Sequence, residues 1–268
     1  VFLDAISESG ASTCACNRDI TLDELCAIAP DANKGILENY IQAFNNGFKQ
    51  YGMNSCREKA HFLAQVCHES GGLRLTKETH GEKKSYAPWY GRGLIQLTFQ
   101  SAYQAYGISV GEDFISNSAC RDKLLSSPHC VTSAFWFYIK YDNKKINKYA
   151  QTDDFNMVTA RINGGFNGYK DRANYFNKAV EVLRAQHMNI LMVDGKFQFE
   201  SSAIYNNRVY AYSWGAYHDP NRKEAVGTTK DKSEALNAYQ RALYLYENSG
   251  DVEKISNINN RISLLSKI

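Results

Sequence analysis

A chain of 268 residues with 44% hydrophobic side chains can fill one large core, or one core and a smaller appendage, and this composition excludes wholesale disorder. A net charge of +3 is too weak a bias to support nucleic-acid binding. No run approaches the roughly 18–20 continuous apolar residues of a membrane-spanning helix.

In chain order, the first predicted element opens at Thr21, where Thr21 and Glu24 have capping-box spacing and Leu22, Leu25 and Cys26 form an apolar stripe. Pro30 and Asp31 break it. A longer helix is predicted from about Asn33 to Tyr51, with Leu37, Tyr40, Ile41, Phe44 and Phe48 on one face. Ser55 and Glu58 form a second capping box. The helix they open carries Ala60, Leu63, Ala64 and Cys67 on one stripe and Phe62, Val66 and Glu69 on the next, and Gly71-Gly72 ends it. Residues 76–90 read as an exposed loop, Gly91-Arg92-Gly93 as a tight turn, and Thr98 as the cap of a helix reaching Tyr106. Further helices are predicted over 129–140, 153–161 and 171–186. After about residue 190 the texture changes. Phe197, Phe199, Val209, Tyr210 and Tyr212 suggest short strands, 219–232 is polar, and two amphipathic helices follow as a hairpin. The chain opens on Val1 with no signal-like stretch and reads as a mature or trimmed product.

Seven cysteines (Cys14, Cys16, Cys26, Cys56, Cys67, Cys120 and Cys130) leave bridged pairs and free buried thiols as equal alternatives. Cys14 and Cys16 are too close together to resemble a zinc knuckle without further ligands. His61 and His68 are seven residues apart, which is not the i, i+4 pair of a helical zinc site, so no metal is expected. Cys67 and His68 point about 100° apart on a helix and make a poor nucleophile–base pair.

Glu69 and Glu78 carry the chemical signal. Inverting glycoside hydrolysis needs one carboxyl that donates a proton to the leaving oxygen and one carboxylate that activates water on the opposite face. Glu69 closes an apolar helix, whose negative end and apolar surroundings favour a protonated acid. Glu78 lies in a polar stretch beyond the glycines. The neighbouring motifs are His68-Glu69-Ser70-Gly71-Gly72, Tyr90-Gly91-Arg92-Gly93-Leu94-Ile95-Gln96-Leu97-Thr98, Ile162-Asn163-Gly164-Gly165 and Asp171-Arg172. In this order they resemble glycoside hydrolase family 19, the chitinases and lysozyme-like endolysins, over roughly residues 20–186.

That resemblance implies a mainly α fold, a two-lobed, lysozyme-like helical domain over 1–189; the change of texture after it reads as a small C-terminal α+β appendage over 190–268. It implies no cofactor. Glu69 takes the general-acid role, Glu78 the base role by the spacing of phage-type members, and Glu82 is the lesser alternative. Thr98 and Gln96 match positions that hold water and sugar. Asn163 matches a substrate-contacting asparagine, and Arg172 a buried arginine that orients a catalytic carboxylate. His68 is expected beside the cleft, and Trp89 and Tyr90 are candidate sugar contacts. Where the family often has asparagine four residues after Thr98, this chain has Ala102.

The expected substrate is peptidoglycan, cut by a secreted or exported enzyme acting in a periplasm or at a cell wall, with chitin as the alternative. An immunity or delivery protein is a further expected partner. A non-catalytic glycan-binding protein and a lytic transglycosylase are the rival readings.

Overall fold

The computed structural model describes residues 13–143, 145–187, 192–193, 196–222 and 230–267. The Val1 end and part of the polar segment 219–232 lie outside the described residues.

The first three helices form where their local signals place them. α1 (Leu22–Ile28) starts on a complete Thr21–Glu24 capping box. α2 (Lys34–Gln50) starts on Asn33, whose side chain accepts the Gly35 N–H. α3 (Cys56–Glu69) starts on a complete Ser55–Glu58 box. Such caps satisfy amide groups that the helix itself leaves without partners.

α4 (Gln100–Val110) departs from expectation. Its cap position is Phe99, at φ 75° and with no side-chain bond, rather than Thr98. α5 (Ser118–Asp122) is short, and α6 (His129–Ile139) is almost wholly buried. α7 (Asn147–Gln151), α8 (Phe155–Asn163) and α9 (Tyr169–Val182) follow.

The main core packs α1, α2, α3, α6 and α9 around Phe44, Phe48, Phe62, Phe135 and Phe176. The Phe62 and Phe135 rings stack with centroids 4.1 Å apart. Burying each such ring is worth about 1.5–3 kcal/mol. Gly47 on α2 permits this approach, because a Cβ there would lie 2.3 Å from the Phe135 ring.

Beyond α9 lie a two-stranded antiparallel ladder, β1 (Met192–Val193) with β2 (Lys196–Phe197), then α10 (Arg208–His218), α11 (Lys232–Tyr246) and α12 (Val252–Ser266). The strand expected at Val209, Tyr210 and Tyr212 is helix. The Asn207 side chain accepts the Val209 and Tyr210 N–H groups and starts α10. Ala211 and Trp214 then turn onto its buried face. Propensity for β-structure gave way to a cap and to tertiary burial.

The C-terminal region is stitched onto the preceding helices. A second apolar cluster joins Met157, Ala160 and Phe166 to Ala211, Trp214, Tyr217 and Tyr239. Phe197 stacks on Phe155 at 4.9 Å and belongs to the main core. Buried Asp154, which caps α8, also accepts the Ser202 hydroxyl at 2.6 Å and the Ala203 N–H at 2.7 Å.

Trp214 is 3% exposed, stacks edge-on against Phe166 at 4.7 Å, and donates its indole N–H to Glu234. Trp214→Ala is expected to destabilise the whole chain by about 3–5 kcal/mol. Urea unfolding should show one transition at a lower midpoint. A loss below about 1 kcal/mol would mean that the interface contributes little.

Candidate active site

α3 is buried along nearly its whole length and delivers Glu69 to the surface at its C-terminal end. Gly71 and Gly72, at φ 57° and 76°, turn the chain away. The Glu69 side chain keeps 22% of its surface exposed. Its setting is not the apolar one expected. The Arg172 guanidinium of α9, 1% exposed, donates through Nη2 to Glu69 Oε1 at 2.5 Å. The same guanidinium donates through Nη1 to Gln65 Oε1 at 2.7 Å and through Nε to the Asn167 carbonyl at 3.2 Å. Gln65 passes its amide N–H to Thr159 on α8 at 3.1 Å. Glu69 is therefore held by a network that spans three helices, and its carboxyl group faces a fixed cation.

His68 lies beside this network, with Nδ1 2.7 Å from Asp171 Oδ2. Its ring lies over Gly168, at φ 70°, where an added Cβ would come within 2.1 Å of it. Only glycine fits the backbone angle and the close approach together.

Glu78 is fixed by a narrow ribbon where an exposed loop was expected. The Glu78 N–H donates to the Gly91 carbonyl at 2.8 Å, and the Gly93 N–H donates to the Thr76 carbonyl at 2.8 Å. Arg92 and Leu97 exchange N–H···O=C bonds at 3.1 and 2.8 Å. The sharp turn thus falls after Arg92 rather than on it.

The Glu78 carboxylate accepts the Gly91 N–H at 2.9 Å and the Tyr86 hydroxyl at 2.7 Å, with Lys84 Nζ 3.8 Å away. The bond to Glu78 raises the Tyr86 hydroxyl above its ordinary value. Glu82, the alternative base, is exposed and paired with Lys77 at 2.6 Å, and that bond holds its carboxyl below the usual range.

Gln96 and Thr98 sit on the same ribbon. The Gln96 amide donates to the Gly93 carbonyl at 3.0 Å, and its Oε1 lies 2.7 Å from where a Gly91 Cβ would be. The half-buried Thr98 hydroxyl donates to the Gln96 carbonyl at 2.8 Å. Gln96 and Phe99 adopt φ of 54° and 75°. Such angles cost a residue with a side chain about 1–3 kcal/mol, and they persist only where the surroundings enforce them.

The turn arginine does more than turn the chain. Arg92 is 2% exposed and donates to Asp122 Oδ1, the Pro88 carbonyl and the Tyr103 hydroxyl at 2.9, 2.9 and 2.8 Å. Its guanidinium lies 3.8 Å from the Tyr90 ring centroid. Tyr90, a candidate sugar contact in the sequence, has its ring buried against Arg92. Trp89 is half-buried, edge-on to Tyr103 at 5.6 Å, with the Arg121 guanidinium 5.1 Å from its ring.

Asn163 ends α8 on the exposed surface, and its side-chain oxygen accepts the Asn167 N–H at 3.2 Å. With Gly165 it lines a depression of about 220 Å³ whose other wall is Tyr212, Ser213 and Tyr217 of α10. The C-terminal region therefore reaches the Asn-Gly-Gly loop. Ala102, the departure from the family pattern, is buried in α4.

The remaining suspects are structural. His61 Nε2 lies 2.7 Å from Asp153 Oδ1 with both side chains fully buried. Burial pushes the Cys67 thiol far up, which makes it a poor nucleophile. No disulfide joins any of the seven cysteines. Sequence reasoning missed the roles of Gln65 and Tyr86, for which no local signal exists, and singled out Asp171 only as part of the Asp171-Arg172 motif.

No protein-family model matches the chain. A glycosyl hydrolase family 19 domain-containing protein of Haemophilus influenzae is 27% identical over 193 residues, covering 56% of this chain and 90% of that protein. Chitinase 8 of Oryza sativa subsp. japonica is 28% identical over 164 residues, covering 48% of this chain and 61% of the rice protein. The crystal structure of a bacterial family 19 chitinase superposes with a TM-score of 0.52 at 18% identity, covering 65% of this chain and 99% of that one. At that identity the likeness establishes the fold. The chain is similar in sequence to glycoside hydrolase family 19 proteins and has the mainly helical, lysozyme-like fold of a family 19 chitinase.

Proposed function

We propose that this chain is an inverting endo-hydrolase of β-1,4-linked N-acetylhexosamine polymers, with Glu69 as general acid and Glu78 as general base. The observation that carries the reading is the pair of differently built carboxylates. Glu69 ends a buried helix against an arginine, and Glu78 lies on a polar ribbon with both oxygens already oriented.

Glu69, entering protonated, gives its proton to the glycosidic oxygen as the bond to the anomeric carbon breaks. Glu78 takes a proton from a water, whose oxygen attacks that carbon from the opposite face. The charge that appears on Glu69 develops beside Arg172, a cation already in place, so no reorganisation is needed when the proton leaves. Bonds from Tyr86 and Gly91 hold the Glu78 carboxylate and leave its other lone pairs for the water. Thr98 and Gln96, on the same ribbon, are the groups we assign to positioning that water and the sugar, with Asn163 as a substrate contact.

The compact Glu78–Gly91 segment supports peptidoglycan as the substrate, because a low wall admits a substituted glycan. The names of the relatives favour chitin as the second reading. We further propose that the protein acts after export, in a periplasm or at a cell wall. An immunity or delivery protein belongs to that proposal.

Glu69→Gln and Glu78→Gln should each lower turnover by about 10²–10⁴-fold with the fold intact by circular dichroism. Glu82→Gln should leave it unchanged. A folded Glu69→Gln variant within a few-fold of the parent would remove Glu69 from the mechanism. Mass spectrometry of products from purified peptidoglycan and from chitin oligomers identifies the substrate. Arg172→Met should destabilise the chain by about 3 kcal/mol in urea unfolding, because Glu69 and Gln65 lose a buried partner. An unchanged midpoint would show that Arg172 does not hold the acid.

A further inference from the structure

At the other end of α3, four side chains from three distant stretches of chain converge. Cys14 and Cys16 precede α1, Cys56 is the first residue of α3, and His187 follows α9. Their sulfur and ring-nitrogen atoms all lie within 4.8 Å of one another. We propose that Cys14, Cys16, Cys56 and His187 form a closed, four-ligand zinc site that ties the N-terminal segment and the end of α9 to the start of α3.

The donor set is the argument for zinc. Three thiolates and one imidazole are a standard structural zinc set, and soft sulfur donors disfavour magnesium and calcium. A tetrahedral zinc with Zn–S of about 2.3 Å and Zn–N of about 2.0–2.1 Å sets the atoms of this ligand set roughly 3.5–3.8 Å apart. Cys56 Sγ lies 3.6 Å from His187 Nε2, and Cys16 Sγ lies 3.9 Å from it. Cys16 and Cys56 Sγ, now 2.7 Å apart, would open by about 1 Å around the ion.

The surroundings are already built for it. His187 Nδ1 lies 3.1 Å from the Arg184 carbonyl, so the ring donates there and turns the Nε2 lone pair toward the sulfurs. The Cys56 N–H donates to Cys16 Sγ at 3.1 Å, so the positive end of α3 would favour a thiolate there. The three stretches are joined by backbone bonds from Ala15 to Leu183 and from Asn17 to Asn54, at 3.0 and 2.8 Å. Lys59, one turn along α3, donates to the Ala15 and Arg18 carbonyls at 2.7 and 2.6 Å and pins the loop that carries Cys14 and Cys16.

Four protein ligands leave no open position for substrate water, and Glu69 lies about 20 Å away along α3. The site is therefore structural. The spacing of Cys14 and Cys16 does not mark a zinc knuckle by itself, and the fold supplies the two missing ligands.

The test uses the full-length chain purified without chelator. Elemental mass spectrometry should find one zinc per chain, lost in C56S and H187A and kept in C26S. Because loss of structural zinc can unfold a variant, a second measurement uses the unaltered chain. Stripped of metal and refolded with one equivalent of cobalt, it should show thiolate-to-cobalt charge-transfer bands and the intense visible bands of a tetrahedral ion. A Cys16–Cys56 disulfide in non-reducing peptide mapping would overturn the proposal. So would free thiols that bind neither zinc nor cobalt.

Discussion

A buried guanidinium cannot be left without acceptors, and that constraint organises the half of this molecule that carries Glu69. Arg172 is 1% exposed and can be satisfied only if Gln65 and Glu69 of α3 and the carbonyl of Asn167 stand where they do. The demand fixes the register of α9 against α3 and shapes the loop from Asn163 to Gly168 between them. It also gives the proposed acid a partner that is in place before any substrate arrives. Arg92 imposes a parallel constraint on the other carboxylate. By gathering Asp122, Pro88, Tyr103 and Tyr90 around itself, it holds the ribbon on which Gly91 grips Glu78. Each proposed catalytic group is thus placed by a buried arginine, one directly and one through the backbone.

The C-terminal region is tied into the same framework. Phe197 enters the main core, Asp154 clamps the Ser202–Ala203 turn, and Trp214 covers Phe166, which lies two residues after Gly164. The loop that carries Asn163 therefore has α10 for its outer wall. Packing of this kind rigidifies a loop that would otherwise owe its order to a few backbone bonds. It also links the stability of the last 70 or so residues to the shape of the depression beside Asn163.

What could be read from the sequence was whatever is encoded locally. α2 and α3 were legible because their caps, apolar stripes and terminal glycines lie within a few residues of one another. Val209, Tyr210 and Tyr212 misled because β-branched and aromatic residues favour strands in isolation. The contrary signal was Asn207, one residue ahead of the helix it caps. The identity of Arg172 was legible through its motif, but its bonds to Gln65 and Glu69 span more than a hundred residues and leave no local trace. The Cys16–Cys56–His187 convergence was hidden for the same reason, with separations of 40 and 131 residues. Tyr90 shows the converse: an aromatic residue in a polar stretch reads as available, and only the packed structure shows its ring buried against Arg92.

The central claim is that two separate carboxyl groups carry a single displacement at the anomeric carbon. The stereochemistry of the first product tests it directly. Proton magnetic resonance of a soluble β-1,4 oligomer, recorded within the first minutes of reaction before mutarotation, should show the new reducing end appearing as the α anomer. A β anomer would mean a retained configuration and a covalent or substrate-assisted route. An anhydro end would mean that no water attacks, and either result would contradict the acid and base roles of Glu69 and Glu78.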